Sequence, residues 1–203
     1  MFKMDKHNFL HKAELESLLF SKISTLDLHR VLSGYEMSEN ANQKNINIGG
    51  KPLFHHLSRV CGILIKELEM YDPDLLITSL LQGIFSCAED ISYEIIIYNF
   101  GPHVATLVDR ISEKNMPDEL KFPTIKPDNE NIIEAVSSED LLVILAANCL
   151  DDLRSLDFTP FANQLGSVLN KCEQLLIFLE PYQNPKIKYL IKEIKRERNK
   201  VLS

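Results

Sequence analysis

The chain has 203 residues, 45% of them hydrophobic and 25% charged, enough for one domain with a full core and too apolar for a disordered chain. Its formal charge of -7 argues against a nucleic-acid partner, whose affinity comes from Lys and Arg neutralising phosphates. The longest apolar runs, such as Asp140 to Leu150, are too short to cross a bilayer, and "MFKMDKHNFLHKAELE" has no secretory apolar core, so a cytoplasmic protein without membrane contact is expected.

In chain order, apolar residues recur at three- and four-residue intervals, which predicts packed amphipathic helices and few strands. A first helix is predicted over Lys12 to Ile23 and a second over Thr25 to Gln43. The loop "KNINIGGKP" follows, marked by Gly49, Gly50 and Pro52. A third helix should run from Pro52 to Met70 and bury Leu53, Leu57, Val60, Ile63 and Leu64. In "YDPD", Asp72 suits an N-cap and Pro73 the first helical position. The fourth helix is predicted from Pro73 to Ala88. A shorter one, Ser92 to Asn99, should end at "NFGP" with Gly101 as its cap, and another spans His103 to Glu113. Lys114 to Asn131 carries three prolines and reads as a long surface loop. Helices then follow in "SSEDLLVILAANCLDDLRSL", from Phe161 to Leu179, and from Pro185 onward. The expectation is one all-α domain over residues 1–203, with N-terminal helices to residue 34, a core over 35–156 and C-terminal helices from 157.

Cys61, Cys87, Cys149 and Cys172 form no C-x-x-C pair and sit in apolar patterns, so they read as small buried hydrophobes rather than zinc ligands or a disulfide framework. The C-terminal "KIKYLIKEIKRERNK" interleaves glutamates with its basic residues and reads as a solvated helix face.

Four segments, "YEMSENANQKNINIGGKPLFHHLSRVCGIL", "SLLQGIFSCAED", "NFGPHVATLVDRIS" and "DLLVILAANCLDDLRSL", resemble in order the HD-type hydrolase domain of the RelA/SpoT family. The resemblance covers Tyr35 to Leu156, and Gly50, Pro52, His56, Phe100, Gly101, Val104, Ala105 and Asp109 fall on matching positions. It implies a compact all-α HD-domain-like bundle, most like the stand-alone small alarmone hydrolases. It also implies a Mn²⁺ site for removing pyrophosphate from (p)ppGpp in the stringent response.

The family's metal ligands are two histidines and two aspartates, and they fit this chain poorly. The first histidine maps onto His56, the His-Asp pair onto Gln82 and Gly83, and the last aspartate onto Asn148. A neutral amide is a weak ligand and glycine is none, so three of the four ligands are lost. Glu89 and Asp90, the weak catalytic candidates, arrive three residues after the family's Glu-Asp position, about 300° round a helix. They could serve only if the helix breaks; the plainer expectation is a solvated helix end. In the nucleotide loop an expected arginine is Asn47, which leaves Lys44, Asn47, Lys51 and Asp152 as candidate nucleotide contacts and Arg59 as a surface charge. Asp151 and Asp152 stand where the family has His-Asn and add negative charge beside any phosphates. His55 and His56 point about 100° apart on a helix, so both rarely face one cavity. His29 and His103 have no partner at ligand spacing.

The first expectation is a pseudoenzyme without a cofactor, acting through a protein partner, with the 114–131 loop and the C-terminal helix as candidate surfaces. The second is a rebuilt, Mn²⁺-dependent phosphohydrolase drawing on Glu89, Asp90, Asp151 and Asp152. The third is a non-catalytic sensor of guanine nucleotides. The sequence leaves the oligomeric state open.

Overall fold

The computed structural model describes residues 9–42, 44–46, 52–112, 139–156 and 162–202. The regular elements among them are all helices, with no strand and one isolated bridge between Ile46 and Pro52. The all-α expectation holds. The chain divides into two compact units, Met1–Asn115 and Met116–Ser203.

The first unit contains α1 (Lys12–Leu19), α2 (Thr25–Asn42), α3 (Leu53–Lys66), α4 (Pro73–Leu81), α5 (Ile84–Cys87), α6 (Tyr93–Phe100) and α7 (Pro102–Ile111). Its centre is α4, which packs against α2, α3 and α7 and buries every residue from Leu75 to Leu81. A helix apolar all round belongs inside. Its two hydroxyls are absorbed locally: Thr78 donates to the Asp74 carbonyl and Ser79 to the Leu76 carbonyl, both at 2.7 Å. Gly34 lets α2 approach closely, since a Cβ there would stand 3.3 Å from Ile77 Cγ2.

Several boundaries follow from capping. The Asp72 carboxylate accepts from the Asp74 and Leu75 amides at 2.9 and 3.1 Å, with Pro73 at the first position, as expected. Ser92 caps α6, and Gly101 at φ 92° separates α6 from α7. The first helix stops at Leu19, short of Ile23, and Ser24 then caps α2: its hydroxyl accepts from the Asp27 amide at 3.1 Å and donates to the Asp27 carboxylate at 2.7 Å. The third stops at Lys66, short of Met70. Glu69 turns left-handed at φ 50° and the Met70 amide returns to the Leu64 carbonyl at 2.9 Å, which closes the helix end. The fourth stops at Leu81, not Ala88, and bears directly on the candidate site. Leu53 is half-buried, while Leu57, Val60, Ile63 and Leu64 are in the core.

The second unit contains α8 (Glu139–Ser155), α9 (Ala162–Leu179) and α10 (Pro185–Leu202). Asn184 caps α10 through the Lys186 amide at 2.9 Å and also donates to Glu139 at 2.7 Å, so it ties together the starts of α10 and α8. The glutamates of α10 correct the expectation of a solvated face. Glu193 and Glu197 are buried and ion-paired, Glu193 to Arg154 (3.7 Å) and Arg196 (2.5 Å), and Glu197 to Lys200 (2.9 Å). Burying two carboxylates is tolerated because cations come with them.

The cysteine expectation is also corrected. Cys149 of α8 and Cys172 of α9 are joined in a disulfide with their Cα atoms 5.8 Å apart. Residues 23 apart meet through helix packing, which no sequence spacing announces. Cys61 behaves as expected: it is fully buried, and burial pushes its thiol up to about 12. The 114–131 loop lies outside the described residues.

Candidate functional site

His55 and His56 stand on α3 in different surroundings. The His55 ring stacks on Phe9, with centroids 4.1 Å apart and planes 8° apart. Phe9 also meets Phe54, which stands edge-on to Tyr35 at 4.9 Å, and the Tyr35 hydroxyl donates to the Leu10 carbonyl at 2.9 Å. His55 therefore belongs to an aromatic cluster that fastens the N-terminal segment. His56 is half-buried, about 100° further round the helix.

The local structure at Gln82 and Gly83 is a helix stop. A helix end leaves carbonyls without intrahelical partners, and buried ones must be satisfied otherwise. The Ser38 hydroxyl of α2 donates to the Leu80 carbonyl at 2.5 Å, and the Gln82 side-chain amide folds back onto the Ser79 carbonyl at 3.0 Å. Gln82 leaves the helical region at ψ 135°, and Gly83 takes the left-handed conformation at φ 75°, ψ 1°. Only glycine adopts that conformation without cost. The chain then makes the short helix α5, closed by the Ala88 amide on the Ile84 carbonyl at 3.0 Å.

The helix thus breaks at the point where the family's His-Asp pair would sit. Glu89 and Asp90 fall on the turn between α5 and α6, both exposed to solvent. Lys44 is exposed as well. Arg59 corrects its surface reading, being 5% exposed on α3. Asn47 and Lys51 lie outside the described residues.

In the second unit, Asn148, Asp151 and Asp152 stand at i, i+3 and i+4 on α8 and share a face. Asp151 is 2% exposed, while Asn148 and Asp152 are half-buried. Asn148 is followed directly by Cys149 of the disulfide.

Mn²⁺ calls for carboxylate, water and imidazole donors. Of the positions that the resemblance assigns to it, those in the first unit offer one imidazole at His56, a neutral amide at Gln82 and nothing at Gly83, and the one in the second unit offers a neutral amide at Asn148. One of those amides is engaged in closing α4. Among the described residues, no three His, Cys, Asp or Glu side chains gather as a metal-holding group. This donor set does not fit the ion.

Two features escaped the sequence reading. Arg30 of α2 bonds Asp27 (3.1 Å), Asp74 (2.7 Å) and the Phe100 carbonyl (2.8 Å), linking the starts of α2 and α4 to the end of α6. Residues this far apart carry no local signal. The second is α6, whose side chains are mostly exposed although all but Glu94 and Asn99 are apolar. Its unbroken apolar run, where a surface helix should alternate, was the signal.

No family model matches the sequence, and no curated protein does. Among solved structures, the fold is similar to that of a metazoan ortholog of SpoT, a protein that hydrolyses ppGpp and plays a role in starvation responses. The TM-score is 0.61 at 20% identity, over 88% of this chain and 98% of that one. No helix among the described residues is long and apolar enough to cross a membrane. What this chain shares with that protein is its all-α fold.

Proposed function

We propose that this chain is a catalytically inactive relative of the (p)ppGpp 3'-pyrophosphohydrolases that works by binding a protein partner in the cytoplasm. The observation behind this reading is the helix stop. Gln82 and Gly83 do not merely lack ligand atoms: one caps α4 and the other reverses the chain, so both are committed to structure. A metal-dependent hydrolase needs its ligands on fixed backbone, held by neighbouring groups. Here that backbone ends one residue earlier, at Leu81. Glu89 and Asp90, on an exposed turn, are poorly placed to activate water in a closed site.

The test combines metal analysis of the purified protein with a ppGpp hydrolysis assay in added Mn²⁺. The expected result is no stoichiometric metal and no pyrophosphate release. Release of pyrophosphate that is lost on chelation would overturn the reading in favour of a rebuilt phosphohydrolase. Calorimetry with ppGpp, GDP and GTP addresses nucleotide sensing in the same sample, and no heat of binding is expected.

A further inference from the structure

We propose that the outward face of α6 is a docking site for a basic, apolar-anchored helix of a partner protein. Ten large hydrophobic side chains are exposed among the described residues, and four of them, Tyr93, Ile95, Ile97 and Tyr98, lie in this one eight-residue helix. Only Ile96 and Phe100 turn inward. Directly opposite them stands Tyr98, 90% exposed, flanked by Ile95 and Ile97 at 38% and 37%. Isolated surface hydrophobics need no explanation, but four within one eight-residue helix do. Tyr93 rests on Thr106 at 3.2 Å and lies 6.4 Å from Phe85 of α5, so the apolar surface continues toward the Gln82–Gly83 turn.

Charge selects the occupant. Between Lys66 and Arg110 the chain has eight acidic residues and no Lys or Arg. Three of those acids, Glu89, Asp90 and Glu94, are exposed on α6 and the turn before it. The Ser92 hydroxyl bonds the Glu94 carboxyl and holds it below its ordinary range, so it is charged at neutral pH. Glu94 stands one helical turn from Tyr98. Pairing α6 in parallel with α6 of a second copy would set these acids against each other, and a nucleic acid or anionic lipid would meet the same repulsion. A helix carrying Lys or Arg beside Leu or aromatic residues satisfies both halves of the surface. Its apolar groups cover Ile95, which lies one turn (i, i+3) from Tyr98, and a cation can lie over the open Tyr98 ring. A ridge of eight residues is about 12 Å long, matching roughly two turns of such a helix.

This deepens the protein-binding half of the proposed function and rests on it, but a ppGpp assay and a docking assay can fail independently. The test titrates the full chain into a fluorescently labelled synthetic amphipathic helix built of Leu and Lys, with a Leu and Glu helix as control. The expected result is saturable binding of the basic helix only. It weakens at least tenfold in the Ile97→Ser/Tyr98→Ser variant and again in Glu94→Lys, both with unchanged circular dichroism. Absence of binding, or equal binding by the α6 variants, overturns the proposal. So does concentration-dependent self-association that disappears in the same variants, because the occupant is then a second copy of the chain.

Discussion

Gly83 shows how one residue sets both the local fold and the chemistry available there. It sits at φ 75°, and no heavy atom lies within 4 Å of where its Cβ would be. A substitution therefore meets backbone strain and nothing else. Gly83→Ala should cost about 1–2 kcal/mol, while Gly83→Asn should cost less because Asn tolerates the left-handed region. Urea unfolding of the two variants separates the effects: equal losses would place the cost in packing instead. At this scale the sequence was legible wherever a cap has its own chemistry. Asp72 with Pro73, and Gly101, are legible from residue type alone and stand where expected. Gly83 was not read as a stop, because the apolar periodicity runs on through Ile84 and a single glycine inside a helical pattern is usually tolerated. The Ser38 hydroxyl that satisfies the Leu80 carbonyl at this stop comes from another helix, which local sequence does not show.

Between elements, polar staples complement the apolar packing. Ser38 is fully buried and gives its proton to the Leu80 carbonyl. Ser38→Ala removes that donor and leaves a buried carbonyl unsatisfied, at a cost of about 1–3 kcal/mol in chemical unfolding. A loss near zero would mean that another donor reaches the carbonyl. Arg30 makes the other staple, across α2, α4 and α6. Arg30→Ala should destabilise by about 1–2 kcal/mol, discounted for its partial exposure, and Arg30→Lys should recover little because one ammonium cannot reproduce the planar fork. The same staple carries a pH dependence. The Ser24 hydroxyl, and then Arg30, hold the Asp27 carboxyl below its ordinary value. A lowered native pKa means the stabilisation is complete above the unfolded-state carboxylate range and is lost as pH falls through the native value. The unfolding free energies of wild type and Asp27→Asn should therefore converge as pH falls through that range; a constant gap would separate the effect from ionisation. None of these pairings was visible in the sequence, nor was the Cys149–Cys172 bond, because each depends on which helices become neighbours.

At the scale of the whole molecule, the fold was legible because it depends on the order of apolar helices and the loops between them. Twenty per cent identity to a ppGpp hydrolase is enough to keep that order. The candidate site was legible only in part. Residue identity shows that Gln82 and Asn148 offer a metal only neutral amides and Gly83 no side chain at all, but not that the helix ends at Leu81, ahead of the first two of these positions. This difference can be measured by restoring the residue types in Gln82→His/Gly83→Asp/Asn148→Asp. If side chains alone were missing, the triple variant would bind Mn²⁺ and release pyrophosphate from ppGpp. The structure argues otherwise. The aspartate at position 83 would stand on a left-handed residue beyond the end of α4, and the histidine at 82 would give up the bond that closes Ser79. Together these changes should lower stability by about 1–2 kcal/mol. The expected outcome is a less stable protein that still shows no Mn²⁺-dependent release. Restored turnover would instead show that the helix stop follows from Gln82 and Gly83 and reverses with them, leaving the rest of an alarmone-hydrolase site intact around it.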